Sequence, residues 1–294
     1  MKKIVKGILE PVFNIADTIY LNKYYNEVSK ENIINFDEKL DKIKKSLIIS
    51  PHQDDESIGM GGTIVKLVNS GCNVDVLYLT DGRQGDNEEI SLIRKTEASK
   101  ALKIYGLETN TTLNFENKTL DKNIDKVAKK IDSILELLEY DAVFLTSNYE
   151  CNNDHAATYE IVGKLIDEKK FKEDVELYLY DINNSVQGLS LNCISPLRDE
   201  EAEKKWEAYR VFKSQVYITF STLKIIDRKK LNIYDNADRK KYIAAEIFTN
   251  INIDEFIKKR SYDNSFRKNM KTATSSIRLI KNMKENRKYR KLMK

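Results

Sequence analysis

The chain has 294 residues, 41% of them apolar and 33% charged, which excludes an intrinsically disordered polypeptide and a disulfide-stapled mini-protein. Only 10 Gly and 3 Pro exclude collagen-like and linker-rich architectures, and no run of 18 uncharged apolar residues offers a spanning helix. The net charge of +4 hides an asymmetry: residues 257–294 carry 14 Lys/Arg against 2 Asp/Glu, so a strongly basic tail follows an acidic body.

The N-terminal segment reads as an amphipathic helix, with Ile4, Ile8, Val12, Ile15 and Ile19 at three- and four-residue spacing and Pro11 bending or restarting it. Lys2 and Lys3 look like a signal n-region. Lys6, Glu10, Asn14 and Asp17 interrupt the apolar stretch after them, and no small-residue cleavage site appears, so the segment is expected to be retained. From Ser46 the texture changes to short apolar runs, Leu47–Ile49, Val74–Leu79, Thr111–Phe115, Ala142–Leu145 and Val175–Tyr180, which are candidate buried strands. Between them helix-period segments fall at about 58–70, 91–105, 121–139 and 156–169. This βαβαβαβαβ order implies an α/β fold, a Rossmann-like, mostly parallel sheet with helices on both faces. A further helix is expected at about 198–215, then a less regular region. The organisation is thus a helical N-terminal extension (1–45), one α/β domain (46–256) and a basic tail (257–294), helical or partly disordered. Cys72, Cys151 and Cys193 are odd in number and widely spaced, with no C-x-x-C pair, which fits a reducing, intracellular setting.

Chemistry concentrates in two loops. Directly after the first candidate strand comes Pro51-His52-Gln53-Asp54-Asp55-Glu56, placing one imidazole and three carboxylates where open α/β sheets bind ligands. Alone, this cluster reads equally well as a helix N-cap, because acidic groups there satisfy free N–H groups and favour the helix dipole. The second loop, Cys151-Asn152-Asn153-Asp154-His155, follows the fourth strand and belongs to the same sheet edge. The chain has only two histidines, and each stands beside aspartate in a loop after a strand. Three ligands from two strand ends, with one position left for water, describe a catalytic rather than a structural zinc site.

These residues resemble the LmbE-like, or PIG-L, zinc-dependent de-N-acetylases. That family's His-Pro-Asp-Asp-Glu motif and Gly-Gly-Thr helix start are matched by His52–Glu56, except at Gln53, and by Gly61-Gly62-Thr63. The resemblance continues through Thr80-Asp81-Gly82, Arg94-x-x-Glu97 with Ala98 and Ala101, the loop ending at His155, and Lys205-Trp206-x-Ala208-Tyr209-x-x-Phe212-Lys213-Ser214-Gln215. Together these span about residues 46–216, in order.

The resemblance implies that His52, Asp55 and His155 are metal ligands and Asp54 the general base, in hydrolysis of the acetamide of an N-acetyl amino sugar. It implies one Zn2+ per chain; two His and one carboxylate also suit Fe2+. Many relatives carry His where this chain has Asn152. Asn152 can donate a hydrogen bond to an oxyanion but cannot transfer a proton, so Asp54 would act first as base and then as acid, while Asp154 orients a neighbour. Arg83 and Arg94 are weaker candidates for substrate contact, and Arg94 could equally form an i,i+3 ion pair with Glu97. The Lys205–Gln215 segment is read as a packing helix and left out of the site.

The two ends together could dock on an anionic membrane, which would place a cytoplasmic-face deacetylase beside an N-acetylhexosaminyl lipid. A domain-capping helix and a self-paired basic helix are the alternatives, and nucleic acid is disfavoured because the tail has few aromatics. The competing function is a sugar- or glycolipid-binding relative that keeps the metal but has lost turnover. Retention of Asp54 argues for the enzyme.

Overall fold

The computed structural model describes residues 2–31, 34, 39–83, 87–183, 191–215, 218–234, 236–262 and 265–292. The side chains of Ile4 and Ile8, expected on the N-terminal helix face, lie outside the described ones.

Seven strands form one sheet: β1 (Lys45–Ser50), β2 (Asn73–Thr80), β3 (Thr111–Phe115), β4 (Ala142–Thr146), β5 (Glu176–Tyr180), β6 (Cys193–Leu197) and β7 (Ala244–Ile251). Their order is β3-β2-β1-β4-β5-β7-β6. The first five run parallel, β7 pairs antiparallel with β5, and β6 pairs antiparallel with β7. The apolar runs read as continuous in sequence divide residue by residue between two cores, because successive strand side chains point to opposite faces. Ile48, Tyr78, Phe144 and Tyr178 enter one core, while Leu47, Ile49, Leu77, Val143 and Leu177 enter the other.

Helices α1 (Lys2–Glu31), α2 (Asp55–Asn69), α3 (Glu88–Tyr105), α6 (Asp199–Tyr209), α7 (Phe220–Lys230) and α9 (Leu279–Asn286) contribute to the first core. The second is built with α4 (Ile124–Asp132), α5 (Asn153–Asp167) and α8 (Ile253–Arg260). Among the described residues no helix is long and apolar enough to cross a membrane.

Three expectations are revised. The helix expected at 121–139 is α4 alone, flanked by 3-10 turns at Leu120–Lys122 and Leu137–Glu139. The chain must leave the helix early because Tyr140 donates to Asp75 and Asp141 accepts from the amides of Lys44 and Lys45, which fixes where β4 enters beside β1. The helix expected at 198–215 ends at Tyr209; the turns after it bring Ser214 and Gln215 against α3. The less regular region after it contains α7 and β7, and a further strand, β6, precedes α6. Pro196 is tolerated in β6 because that strand is an edge, and a buried Glu246 interrupts the apolar pattern of β7.

Glu246 explains the Gly61-Gly62-Thr63 sequence. Its carboxylate accepts from the amides of Gly62 (2.9 Å) and Thr63 (2.7 Å) and from the Thr63 hydroxyl. A Cβ on Gly62 would lie 2.3 Å from Leu197 Cδ1, so only glycine lets α2 approach the sheet this closely. Lys205 Nζ bridges Glu246 (2.7 Å) and Asp227 (3.1 Å), and Asp227 also accepts from Trp206 Nε1 and the Tyr209 hydroxyl. The Lys205–Tyr209 stretch therefore carries a buried charge network that ties α6, α7, β7 and α2 together.

The basic tail is packed in part against the body. Met270, Ala273, Leu279 and Met283 are buried, Ser276 donates to Asp17 of α1 (2.7 Å), and the Ala273 amide donates to the Asn183 carbonyl (2.7 Å).

Candidate metal centre and substrate cavity

In the order β3-β2-β1-β4-β5, the chain crosses from β1 toward β2 on one side and returns to β4 on the other. This opens a crevice beyond the carboxyl ends of β1 and β4. His52 lies just past β1, and His155 lies in the first turn of α5, which follows β4. The two loops read separately in sequence meet here.

Three donor atoms face one another. His52 Nδ1 is 3.2 Å from Asp55 Oδ2 and 3.2 Å from His155 Nε2, and His155 Nε2 is 3.3 Å from Asp55 Oδ2. Ligand bonds of 2.0–2.1 Å to a tetrahedral ion place neighbouring donor atoms roughly 3.3–3.4 Å apart, so this triangle has the size of three vertices of a zinc site. The far side of each imidazole is held by a different carboxylate. His52 Nε2 is 3.1 Å from Asp154 Oδ2, and His155 Nδ1 is 3.1 Å from Glu150 Oε2. When the rings are neutral, donation from those nitrogens fixes the tautomers and leaves the near nitrogens with lone pairs aimed at the common centre. The donor set thus fits a borderline divalent cation such as Zn2+.

The carboxylates that hold the rings are themselves fixed. Asp154 accepts from the amides of Lys118 (2.6 Å) and Leu120 (3.2 Å). Glu150, fully buried, accepts from the amides of Ile182 (2.6 Å) and Asn183 (3.0 Å) and from Asn183 Nδ2 (3.0 Å).

Protonation follows this wiring. Burial disfavours charge on His52, but Asp154 and Asp55 outweigh it and raise its pKa to about 9. His155 is likewise desolvated and is raised to about 10 by Asp55 and Glu150. Burial opposes ionisation of Asp55, yet the two imidazoles, His155 foremost, hold its carboxyl well below the usual range. Asp54 moves the other way: burial first, and the adjacent Asp55 second, push it well above the usual carboxylate range.

The capping alternative for this loop is not realised. Asp54 stands at the start of α2 without capping it, and its backbone (φ 154°, ψ −19°) is one that L residues seldom adopt. Its carboxylate accepts no hydrogen bond from the described residues. Asp55 accepts from the His52 amide, and Glu56 turns into the interior, where the Ser57 hydroxyl donates to it.

A cavity of about 790 Å³ opens over the centre. Its wall includes His52, Asp54, Asp55, His155, Asn152, Arg83 and Arg94. Of the residues singled out in sequence, only Asp154 is not on the wall, being buried behind His52. Asn152 caps α5 by accepting the Asp154 amide through Oδ1 (2.9 Å), and among the described residues Nδ2 has no acceptor. Arg83 is held by Asp81, from both its backbone amide and its side chain. Arg94 does not pair with Glu97, which accepts instead from the Ser214 amide and hydroxyl. Its guanidinium donates to the Gly82 carbonyl (3.1 Å) and to Gln215 Oε1 (3.3 Å), leaving Nε buried without a partner among the described residues.

Sequence reading missed three contributors. Glu150 could have been suspected as an acid five residues before His155, but its anchor at Ile182–Asn183 is visible only in three dimensions. Gln215 ends a segment read as packing, yet it holds Arg94 and lines the cavity. Lys118 supplies both an amide to Asp154 and a place on the cavity wall.

Residues 47–166 match the family model described as "PIG-L: GlcNAc-PI de-N-acetylase". Over 84 residues the chain is 40% identical to a diacetylchitobiose deacetylase of Thermococcus kodakarensis, covering 26% of this chain and 32% of that protein. Over 100 residues it is 36% identical to a probable N-acetyl-alpha-D-glucosaminyl L-malate deacetylase 2 of Bacillus cereus, covering 31% and 46%. The match therefore takes in less than half the length of either relative. In three dimensions the chain resembles the N,N'-diacetylchitobiose deacetylase from Pyrococcus horikoshii, with a TM-score of 0.57 and 25% identity over 79% of this chain and 91% of that one.

Proposed function

Starting from residues 47–166 as a domain of the PIG-L de-N-acetylase family, we propose that this protein hydrolyses the acetamide of an N-acetylglucosamine-type sugar conjugate, releasing acetate and a free amine. The observation that carries this reading is the triangle of His52 Nδ1, Asp55 Oδ2 and His155 Nε2 beside an Asp54 carboxylate with no hydrogen-bond partner among the described residues. Zn2+ is the cation the donor set favours, with Fe2+ sharing the same preferences. Bound there, it supplies Lewis acidity toward the amide carbonyl and lowers the pKa of water to about 7.

The chain's own residues supply the proton movements and the positioning. Asp54 takes a proton from the attacking water as the new C–O bond forms. It then delivers that proton to the nitrogen as the C–N bond breaks, so one water is consumed and acetate and amine leave. Burial raises the affinity of Asp54 for this proton, as a carboxylate base needs. Asn152 Nδ2 donates to the developing oxyanion. Arg94 and Arg83, both on the cavity wall, orient the hydroxyl or acidic groups of the conjugate. A soluble chitobiose-like glycoside and a lipid-linked N-acetylhexosaminyl conjugate at the cytoplasmic face both belong to this substrate class. A binding protein without turnover would leave Asp54 with no task.

The test is acetate release from a soluble and a lipid-linked N-acetylglucosamine conjugate. Wild type, Asp54→Asn and chelator-treated protein reloaded with zinc are compared. Release lowered about 10²–10⁴-fold in Asp54→Asn, lost with chelator and restored by zinc supports the assignment. Full metal occupancy with no acetate from either substrate overturns it in favour of a binding protein.

A further inference from the structure

We propose that α1 seats the protein on an anionic lipid surface through the face that carries Val12, Ile15 and Ile19. These side chains are 64%, 64% and 68% exposed, and their i, i+3, i+7 spacing puts them on one face of the helix. Single exposed apolar residues are ordinary, but three β-branched ones stacked along a helix form a patch. The opposite face of α1 is fully engaged. Asp17, Leu21, Tyr24, Tyr25 and Val28 are buried, and Asp17 receives the Ser276 hydroxyl. The helix is therefore anchored by one side and presents the other outward.

Charge decides what that outward face meets. Lys23 and Lys30 continue the same face, four and eleven residues beyond Ile19, and both are exposed. Between Pro11 and Lys30, the one acid on this side of the helix is Glu27, which sits between Lys23 and Lys30. Its carboxylate is paired with Arg287 of the tail (2.7 Å). The tail adds to the field at the edge of the patch: Lys284 Nζ lies 5.8 Å from the ring centroid of Tyr20, next to Ile19. Apolar side chains with cations and no free carboxylates suit the boundary between acyl chains and anionic headgroups, where insertion and electrostatic attraction act together. A second copy of the chain is the poorer partner, because a self-complementary interface would bring the same cations to a face whose one carboxylate is already paired.

The experiment is flotation of the full-length protein with phosphatidylcholine vesicles, with or without about one-third phosphatidylglycerol. It compares wild type, Ile15→Glu/Ile19→Glu and Lys23→Glu/Lys30→Glu, with melting temperature and molar mass in solution recorded for each. All substituted positions are exposed, so folding is expected to persist, and the lysine pair tests the face even if the isoleucine pair fails to fold. Support would be wild-type flotation with the anionic vesicles that falls about tenfold in each double variant and weakens in high salt. Wild type that stays unbound with both vesicles overturns the proposal, as does equal flotation of the variants. A wild-type dimer dissociated by Ile15→Glu/Ile19→Glu, with no vesicle binding, also overturns it and assigns the face to a second copy. Flotation reads docking alone, so a failure here is separable from a failure of the deacetylase reading.

Discussion

Replacing Glu150 with Gln tests whether the metal centre depends on a carboxylate that touches neither metal nor substrate. Glu150 Oε1 accepts the amides of Ile182 and Asn183, while Oε2 faces His155 Nδ1 and Asn183 Nδ2. Gln keeps the shape and can keep the backbone bonds through its single oxygen. Its NH2 group then meets N–H donors on His155 and Asn183, so two bonds become donor–donor contacts and the negative charge behind the imidazole is lost. A charge-assisted hydrogen bond contributes about 1.5–3 kcal/mol, and losing it leaves His155 a weaker, less firmly oriented ligand. The expected result is a 10–100-fold weaker zinc affinity, or about 1.4–2.7 kcal/mol, measured by competition with a chromophoric chelator. At saturating zinc, kcat should change less than affinity does, because Asp54 and the cavity are untouched. Unchanged zinc affinity with a lowered Tm would refute the reasoning and reduce Glu150 to a brace for the Ile182–Asn183 turn.

Zinc binding near neutral pH should release close to two protons, because His52 and His155, at about 9 and 10 in the metal-free protein, must be neutral to bind. Affinity should accordingly rise with pH up to those values, and calorimetry in buffers of different ionisation enthalpy that shows no proton release would contradict the assignment. Asp17, raised by burial from 3.8 to about 6, favours its protonated form in the fold, so stability is lost as pH rises from about 4 through 6. Discounted for partial screening, Asp17→Asn should stabilise the protein by about 1–2 kcal/mol at pH 7 and by almost nothing at pH 4. Equal effects in urea denaturation at both pH values would rule this out. Lys205→Met should cost about 3–5 kcal/mol, because Asp227 and Glu246 would be left buried without their cation. The folded fraction should keep its zinc affinity, since Lys205 is not on the cavity wall, and a loss below about 1 kcal/mol would show that the network carries little.

The parallel half of the sheet was legible because β1, β2, β4 and β5 are buried on both faces and read as short, mostly apolar runs, interrupted only at Asp75 and Glu176. The grouping of His52, Asp55 and His155 was legible because these residues crowd into two short loops, each directly after such a strand. Legibility ended where a residue's role depends on a partner distant in the chain. Glu246 looks out of place in a strand until the Gly62 and Thr63 amides and Lys205 are set around it. Arg94 and Glu97 invite an ion pair at helical spacing, and the turn at Ser214–Gln215 divides them by taking one each. In the tail, composition drew attention to the cations and away from Met270, Ala273, Leu279 and Met283, the residues that bury.

The join between that tail and the metal centre runs through one residue. Asn183 accepts the Ala273 amide at its carbonyl, while its own amide and side chain hold Glu150, and Glu150 holds His155. Asn183 also lines the cavity. Consecutive hydrogen-bonding groups thus connect a segment beyond the sheet to the imidazole that must present its lone pair. His52 is secured differently, by an aspartate one residue before its fellow ligand and by amides at Lys118 and Leu120. The two supports draw on different segments, the loop after β3 for one and the β5 end with the tail for the other, and they meet at Asp154-His155 in the first turn of α5. The orientation of both rings therefore depends on the whole sheet edge rather than on the motif loops alone.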